Sequence, residues 1–185
     1  GENAIAAHQI AISVTSQLFM IPLSLAIALT IRVGMYYGEK NWLAMRQVQK
    51  VGLISATIFA ACTMALIALA RPYIVAIYTN DVHIMPIAMY LLWFAIAYQL
   101  VDGWQVSAAG CLRGMQDTQA PMWITLMAYW VVAFPIGLYL ARYTIWGVAG
   151  VWLGLIIGLT IACVLLIGRL YLNNKRLMQL KSSNP

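Results

Sequence analysis

The stretch "MPIAMYLLWFAIAYQLVDGWQVSAAGCL", Met85 to Leu112, decides the fold. It is long enough for the roughly 20 residues with which a helix crosses a bilayer. It shows no alternation at period two, and its only formal charge is Asp102. Pro86 suits a first helical turn. At a rise of about 1.5 Å per residue, Asp102 lies about 16 Å along the axis from Arg113, close to half of a hydrocarbon core about 30 Å thick. A carboxyl group at that depth costs about 2.5–3.5 kcal/mol on insertion scales. Acids placed there most often face a cavity and mark an ion or proton path. Tyr98 stands one turn before Asp102 and Gln105 one turn after it, on the same helix face.

The remainder of the chain has the same character. Its 185 residues are 63% hydrophobic and 9% charged, whereas soluble domains carry roughly a quarter charged residues. Charge-free stretches at 3–31, 51–70, 82–101, 118–141 and 143–168 predict spans over about 4–31, 51–70, 85–112, 121–141 and 146–168. The fold class expected is an all-α membrane protein with five transmembrane helices. Backbone groups inside lipid must be satisfied within their own segment, and the period-two pattern of a membrane barrel is missing.

Within the first span, Pro22 predicts a kink or tilt. Gln9, Ser13, Ser16, Met20 and Ser24 share a face of that helix, either as interhelical packing or as the wall of a wet cavity. Residues 32–50, "RVGMYYGEKNWLAMRQVQK", interrupt the apolar run with Gly34 and Gly38 and offer Asn41 as an N-cap. Trp42, Leu43 and Met45 beside Arg46 and Lys50 suit an interfacial helix there. In the fourth span Pro135 and Gly137 predict a kink, and Thr125 and Tyr129 share a face. Gly150, Gly154 and Gly158 in the fifth form a small-residue stripe for close helix contact. Residues 169–185 read as a tail on the cytoplasmic side.

The net charge of +6 is a matter of topology rather than of nucleic-acid binding. With 32–50, 113–120 and the C-terminus on one side, that side holds Arg32, Lys40, Arg46, Lys50, Arg113, Arg169, Lys175, Arg176 and Lys181. Arg71 and Arg142 remain opposite. The positive-inside rule then places the N-terminus outside and the C-terminus in the cytoplasm. Trp123, Tyr143 and Trp146 near span ends suit the headgroup layer. No cleavable signal peptide is visible, and the chain, beginning at Gly1 rather than Met, reads as a fragment or, failing that, a processed product.

Cys62, Cys111 and Cys163 are odd in number and widely spaced, which suits neither a disulfide framework nor a zinc site. No Ser/His, His/Glu or paired-Asp constellation falls on facing spans, so no enzyme, catalytic residue or bound metal cofactor is expected. His8 and His83 fall near outer ends of spans and read as surface or packing side chains. A carboxylate whose proton can be displaced by Na⁺ or by a cationic solute suits an exchanger, because the two ligands then bind in turn. Tyr98 is placed to hydrogen-bond that acid, and Gln105 to offer a carbonyl oxygen to a hard cation.

Three stretches carry a family resemblance: "AAHQIAISVTSQLFMIPLSLAIALTIRVG" from Ala6 to Gly34, "YQLVDGWQVSAAGCLRG" from Tyr98 to Gly114, and "GVWLGLIIGL" from Gly150 to Leu159. Together they resemble the C-terminal half of multidrug and toxic compound extrusion (MATE) transporters of the NorM branch, over essentially all 185 residues. The resemblance implies a partial six-helix lobe of a two-lobed protein in the bacterial inner membrane. It implies exchange of organic cation drugs for H⁺ or Na⁺ by alternating access, without a cofactor. In that family an acid on the tenth helix takes part in cation coupling; Asp102 falls on it, with Tyr98 on the matching tyrosine and Na⁺ as a transient occupant at most. Gln9 and Ser13 fall on positions that look into the cavity, Ser13 standing where relatives often have Asn. With Gln105 and Tyr129 they make up the expected substrate-binding set, and Tyr98, Trp104 and Tyr129 offer ring faces to an organic cation. The N-terminal lobe with its own acid, and the first helix of the C-terminal lobe with its glutamate, have no counterpart here. The chain alone is therefore expected not to transport; the alternative is a truncated membrane protein with a purely packing role.

Overall fold

A computed structural model describes residues 2–183, and side chains from 2 to 179. Five rods follow one another: α1 (Glu2–Gly38), α2 (Trp42–Tyr78), α3 (Ile84–Gly114), a fourth rod built from α4 (Gln119–Met127) and α5 (Phe134–Tyr143) across a π-helical segment at Ala128–Ala133, and α6 (Val148–Ser183). All five are long and apolar enough to cross a membrane. The connections are only a few residues long, so successive rods run antiparallel. One apolar cluster accordingly joins Ala7 of α1, Val75 of α2, Ala88 of α3 and Trp152 of α6. A second, at the other end, joins Val33, Met45, Leu112 and Leu166.

The helices overrun the apolar stretches at both ends. Asn41 does cap α2, its Oδ1 accepting from Ala44 N at 3.2 Å, but the helix that begins there continues unbroken to Tyr78. Trp42, Arg46 and Lys50 therefore stand on the first turns of α2 and not on a separate interfacial helix. Similarly, α6 continues past residue 168 to Ser183; of the expected tail, 184–185 and the side chain of Lys181 lie outside the described residues. Backbone hydrogen bonds within a helix do not depend on lipid, so charged side chains extend the rods into water where apolar ones have ceased.

Small residues set the closest approaches. A Cβ added at Gly110 would meet Ala26 O at 2.6 Å, and one at Gly114 would meet Thr30 O at 2.7 Å. Thr30 fastens that contact of α1 with α3, its Oγ1 donating to Gly110 O at 3.0 Å. The stripe of Gly150, Gly154 and Gly158 faces Leu140, Gly137 and Ala133 of the fourth rod, as its spacing predicts. The break in that rod is a π-helical turn just ahead of Pro135. Proline has no N–H and its ring clashes with the carbonyl four residues back, here Val131, so the regular ladder cannot close there. Pro22, by contrast, lies buried inside a continuous α1.

α3 is the hub, packing on α1, α2 and α6. Below it, the turn between α3 and α4 is tied to α6: Arg169 Nε and Asn173 Nδ2 each donate to Asp117 Oδ2 at 2.8 Å. Asn174 Nδ2 donates to Gln49 Oε1 at 2.7 Å, tying α6 to α2 as well.

Candidate functional site

Because α3 sits at the centre, its polar residues end up inside the bundle. Asp102 is only 2% exposed, and its Oδ2 has no hydrogen-bond partner. Buried polar atoms are hydrogen-bonded in the great majority of cases, and a bare carboxylate oxygen is among the costliest exceptions. Ser107, on the same helix, is fully buried with an unpartnered Oγ.

Tyr98 approaches the Asp102 carboxyl as a donor, and Tyr129 approaches Tyr98 from the π-helical segment of the fourth rod. Three titratable side chains thus form a string from Asp102 through Tyr98 to Tyr129. Each tyrosine also borders a groove. Tyr98, with Thr15, Ser16, Phe19 and Met20 of α1 and Trp152 of α6, lines one of about 430 Å³. Tyr129, with Trp130, Phe134 and Leu138, lines another of about 290 Å³ against Val151 and Leu155 of α6. Leu155 belongs to both. The acid is therefore buried, and contacts lead from it to the first groove through Tyr98 and to the second through Tyr98 and Tyr129.

Of the residues singled out from the sequence, the structure gathers Asp102, Tyr98 and Tyr129. Gln105 is buried one turn beyond Asp102 on α3. Gln9 is exposed and Ser13 half-buried; neither lines the groove over Tyr98, which the same face of α1 reaches one turn later with Ser16 and Met20. Trp104 is turned elsewhere, its Nε1 donating to Thr57 Oγ1 on α2 at 2.8 Å, so its ring does not join those of Tyr98 and Tyr129.

Two further residues belong to the site. Trp152 is 2% exposed and packs its ring edge-on against Tyr98, with centroids 6.2 Å apart. Its Nε1 donates to His8 Nδ1 at 3.2 Å, so His8 is more than a packing side chain. The signal in the sequence was an indole near the start of an apolar span, whose N–H needs a partner when buried. The partner itself was invisible, since His8 and Trp152 stand at opposite ends of the chain.

Among the described residues no group of three or more His, Cys, Asp or Glu side chains could hold a metal ion. What the arrangement offers a cation is a carboxylate oxygen and two phenol oxygens, a hard donor set compatible with a weakly held alkali ion or a proton.

The MatE family model matches residues 1–139. A probable multidrug resistance protein NorM from Acinetobacter baylyi is 73% identical over 179 residues, which is 97% of this chain and 40% of that protein. Another of the same name, from Xanthomonas campestris pv. campestris, is 40% identical over 177 residues, covering 96% of this chain and 39% of its own length. The chain thus spans about 40% of the length of these relatives. Both are named for drug resistance rather than for an enzymatic reaction. Among solved structures, one described as MATE in the bent conformation superposes with a TM-score of 0.90 at 20% identity, over 98% of this chain and 40% of that one. The outward-facing conformation of a multidrug resistance MATE family transporter of the MOP superfamily gives 0.89, also at 20% identity, over 97% and 40%.

Proposed function

The chain belongs to the MatE family, and on that premise we propose that it is part of a multidrug efflux antiporter that exchanges organic cations for H⁺ or Na⁺ by alternating access. The observation that carries this reading is the Asp102 carboxyl, 2% exposed with one oxygen unpartnered. A buried carboxylate is costly to leave bare, so an occupant, proton or Na⁺, is favoured when the site is closed. An organic cation arriving in the groove beside Tyr98 offers the same charge compensation. The two compete for one acid, and competition makes exchange obligatory in turn rather than simultaneous.

Tyr98 and Tyr129 supply the connection. A phenol hydroxyl donates to an ionised carboxyl group and accepts from a protonated one, so rotation of Tyr98 passes the change of state at Asp102 to the groove wall. Gln105 adds a carbonyl oxygen on the α3 side. Gln9 and Ser13 sit on the α1 face that continues the groove's wall and are assigned to substrate contact only when the rest of the protein covers them. The lipid bilayer of the bacterial inner membrane is the expected setting, with the N-terminus outside and the basic ends of the rods in the cytoplasm. A purely packing role leaves the bare Asp102 oxygen without a reason.

The test is Asp102→Asn in a full-length transporter containing this chain. Gradient-driven ethidium uptake into inverted vesicles, which reads efflux in the cell's sense, should fall to the level of transporter-free vesicles, a loss of tenfold or more, roughly 1.4 kcal/mol or above, with unchanged membrane content. Efflux persisting at the wild-type level would remove Asp102 from coupling. Imposing pH and Na⁺ gradients separately on the wild type identifies the ion: the gradient whose collapse alone stops efflux is the coupled one.

A further inference from the structure

We propose that Trp152 and His8 are positioning residues for the Tyr98–Asp102 pair, and that His8 performs this role only while its imidazole is neutral. The proposal rests on the reading of Asp102 as the coupling acid. It begins with a buried donor: the Trp152 indole N–H lies in the apolar end of the bundle and is met by His8 Nδ1 at 3.2 Å, with the two rings edge to face at 5.9 Å. On its other side the Trp152 ring meets Tyr98 at 88°. The contacts therefore run from α1 through α6 to α3, ending at the hydroxyl that approaches Asp102. Freeing the indole N–H leaves a buried donor unpaired, and the ring against which Tyr98 rests loses its anchor.

The direction of the hydrogen bond fixes the state of His8. For Nδ1 to accept, the ring's single proton must be on Nε2; the imidazolium has N–H donors at both positions and cannot accept. Protonation of His8 therefore releases Trp152, and neutral His8 holds it. Among the described residues, the buried side chains of the core cluster around the pair are apolar. α1 contributes Ala7, Ile10 and Ala11, α2 Ile67 and Val75, α3 Leu91, Leu92 and Ala95, and α6 Ala149. The titratable side chain in contact with the indole is Tyr98, and Arg71 on α2 is turned onto the Trp93 ring at 3.8 Å. Glu2 on α1, and Asp81 and His83 in the α2–α3 connection, are exposed. Acid on the side where α1, α3 and α6 begin would thus loosen Tyr98, and neutral solution would set it.

The test uses the full-length transporter labelled with 5-fluorotryptophan, the Trp152 resonance being assigned by its loss in Trp152→Phe. In the wild type that resonance should move as the pH is lowered and the imidazole takes up its second proton. In His8→Asn it should stay still, because an amide oxygen accepts in place of Nδ1 but does not titrate. Trp152→Phe, which keeps a ring without the donor, should weaken apparent ethidium affinity about five- to tenfold at neutral pH, the worth of one such hydrogen bond. His8→Asn should retain wild-type affinity at neutral pH and lose less of it in acid. A Trp152 resonance that titrates unchanged in His8→Asn overturns the role of His8. Ethidium affinities that follow the wild-type pH profile in both variants overturn the positioning of Tyr98. Failure of the underlying reading shows separately, as coupled efflux surviving in Asp102→Asn whatever the resonance does.

Discussion

Asp117 lies in the turn between α3 and α4, outside the spans, where Arg169 and Asn173 converge on one oxygen. Its partial burial alone would push the carboxyl up; the hydrogen bonds from Arg169 and Asn173, with the Arg169 charge, outweigh that and hold it below the usual carboxylate range. A depressed folded-state pKa adds stability above the unfolded value, near 3.9, and that stability is lost as pH falls through the folded one. Asp117→Asn should therefore cost on the order of 0.5–1 kcal/mol at neutral pH, a modest figure because Arg169 is 42% exposed and water screens the pair. Thermal unfolding in detergent micelles at neutral pH and at progressively lower pH checks this: the gap between variant and wild type should close from about pH 4 downward. A gap that widens in acid contradicts the assignment. Asp117 and Asp102 also mark the limit of reading single residues from sequence. Asp102 stood out because a charge in an apolar run has no inexpensive alternative explanation. Asp117, His8 and Trp152 did not, because each acquires its role from a partner more than fifty positions away, which only the folded bundle supplies.

At the scale of elements, periodicity and charge spacing made all five rods legible, along with the stripe along α6. Where each rod ends was not legible, since helices continue into water on charged turns, as α2 does from Trp42 and α6 to Ser183. The π-helical segment was anticipated only as a kink; which backbone bonds a proline disrupts depends on how the neighbouring helix braces the loosened turn. Here α6 does so through Gly158, where an added Cβ would meet Ala133 Cβ at 2.5 Å and Ala128 O at 2.7 Å. The stripe yields a graded prediction. A Cβ at Gly154 would fall on the backbone of Gly137 and on Ala133 O at 2.7 Å, so Gly154→Ala must push α5 and α6 apart, at about 1–3 kcal/mol for overpacking. Gly168→Ala on the same helix meets nothing within 4 Å and should cost nothing measurable. Both are read by thermal unfolding in micelles, and equal effects of the two would mean that the stripe does not set the α5–α6 distance.

For the molecule as a whole, the decisive quantity is how much wall the chain can supply. The groove over Tyr98 has α1 on one side and α6 on another, yet Met20, which lines it, is 56% exposed. Ser16, another lining residue, is exposed too. That α1 face carries the exposed Gln9 and the half-buried Ser13 just above. Alternating access requires one half of a transporter to rock against another around a shared site, and relatives of this family are about two and a half times as long as this chain, which spans 40% of them. The 185 residues expressed alone should therefore enter the membrane, given five apolar rods that satisfy their own backbones, but should not lower ethidium accumulation in cells below that of an empty-vector control. Co-expression with the remaining segments of a full-length relative should restore efflux, and should do so only with Asp102 intact, because a complete wall around a neutral amide offers nothing for a cation to exchange against. Efflux by the 185 residues alone would mean that five rods, through copies of themselves, can build both sides of the cavity, and the two-lobed reading would have to be abandoned.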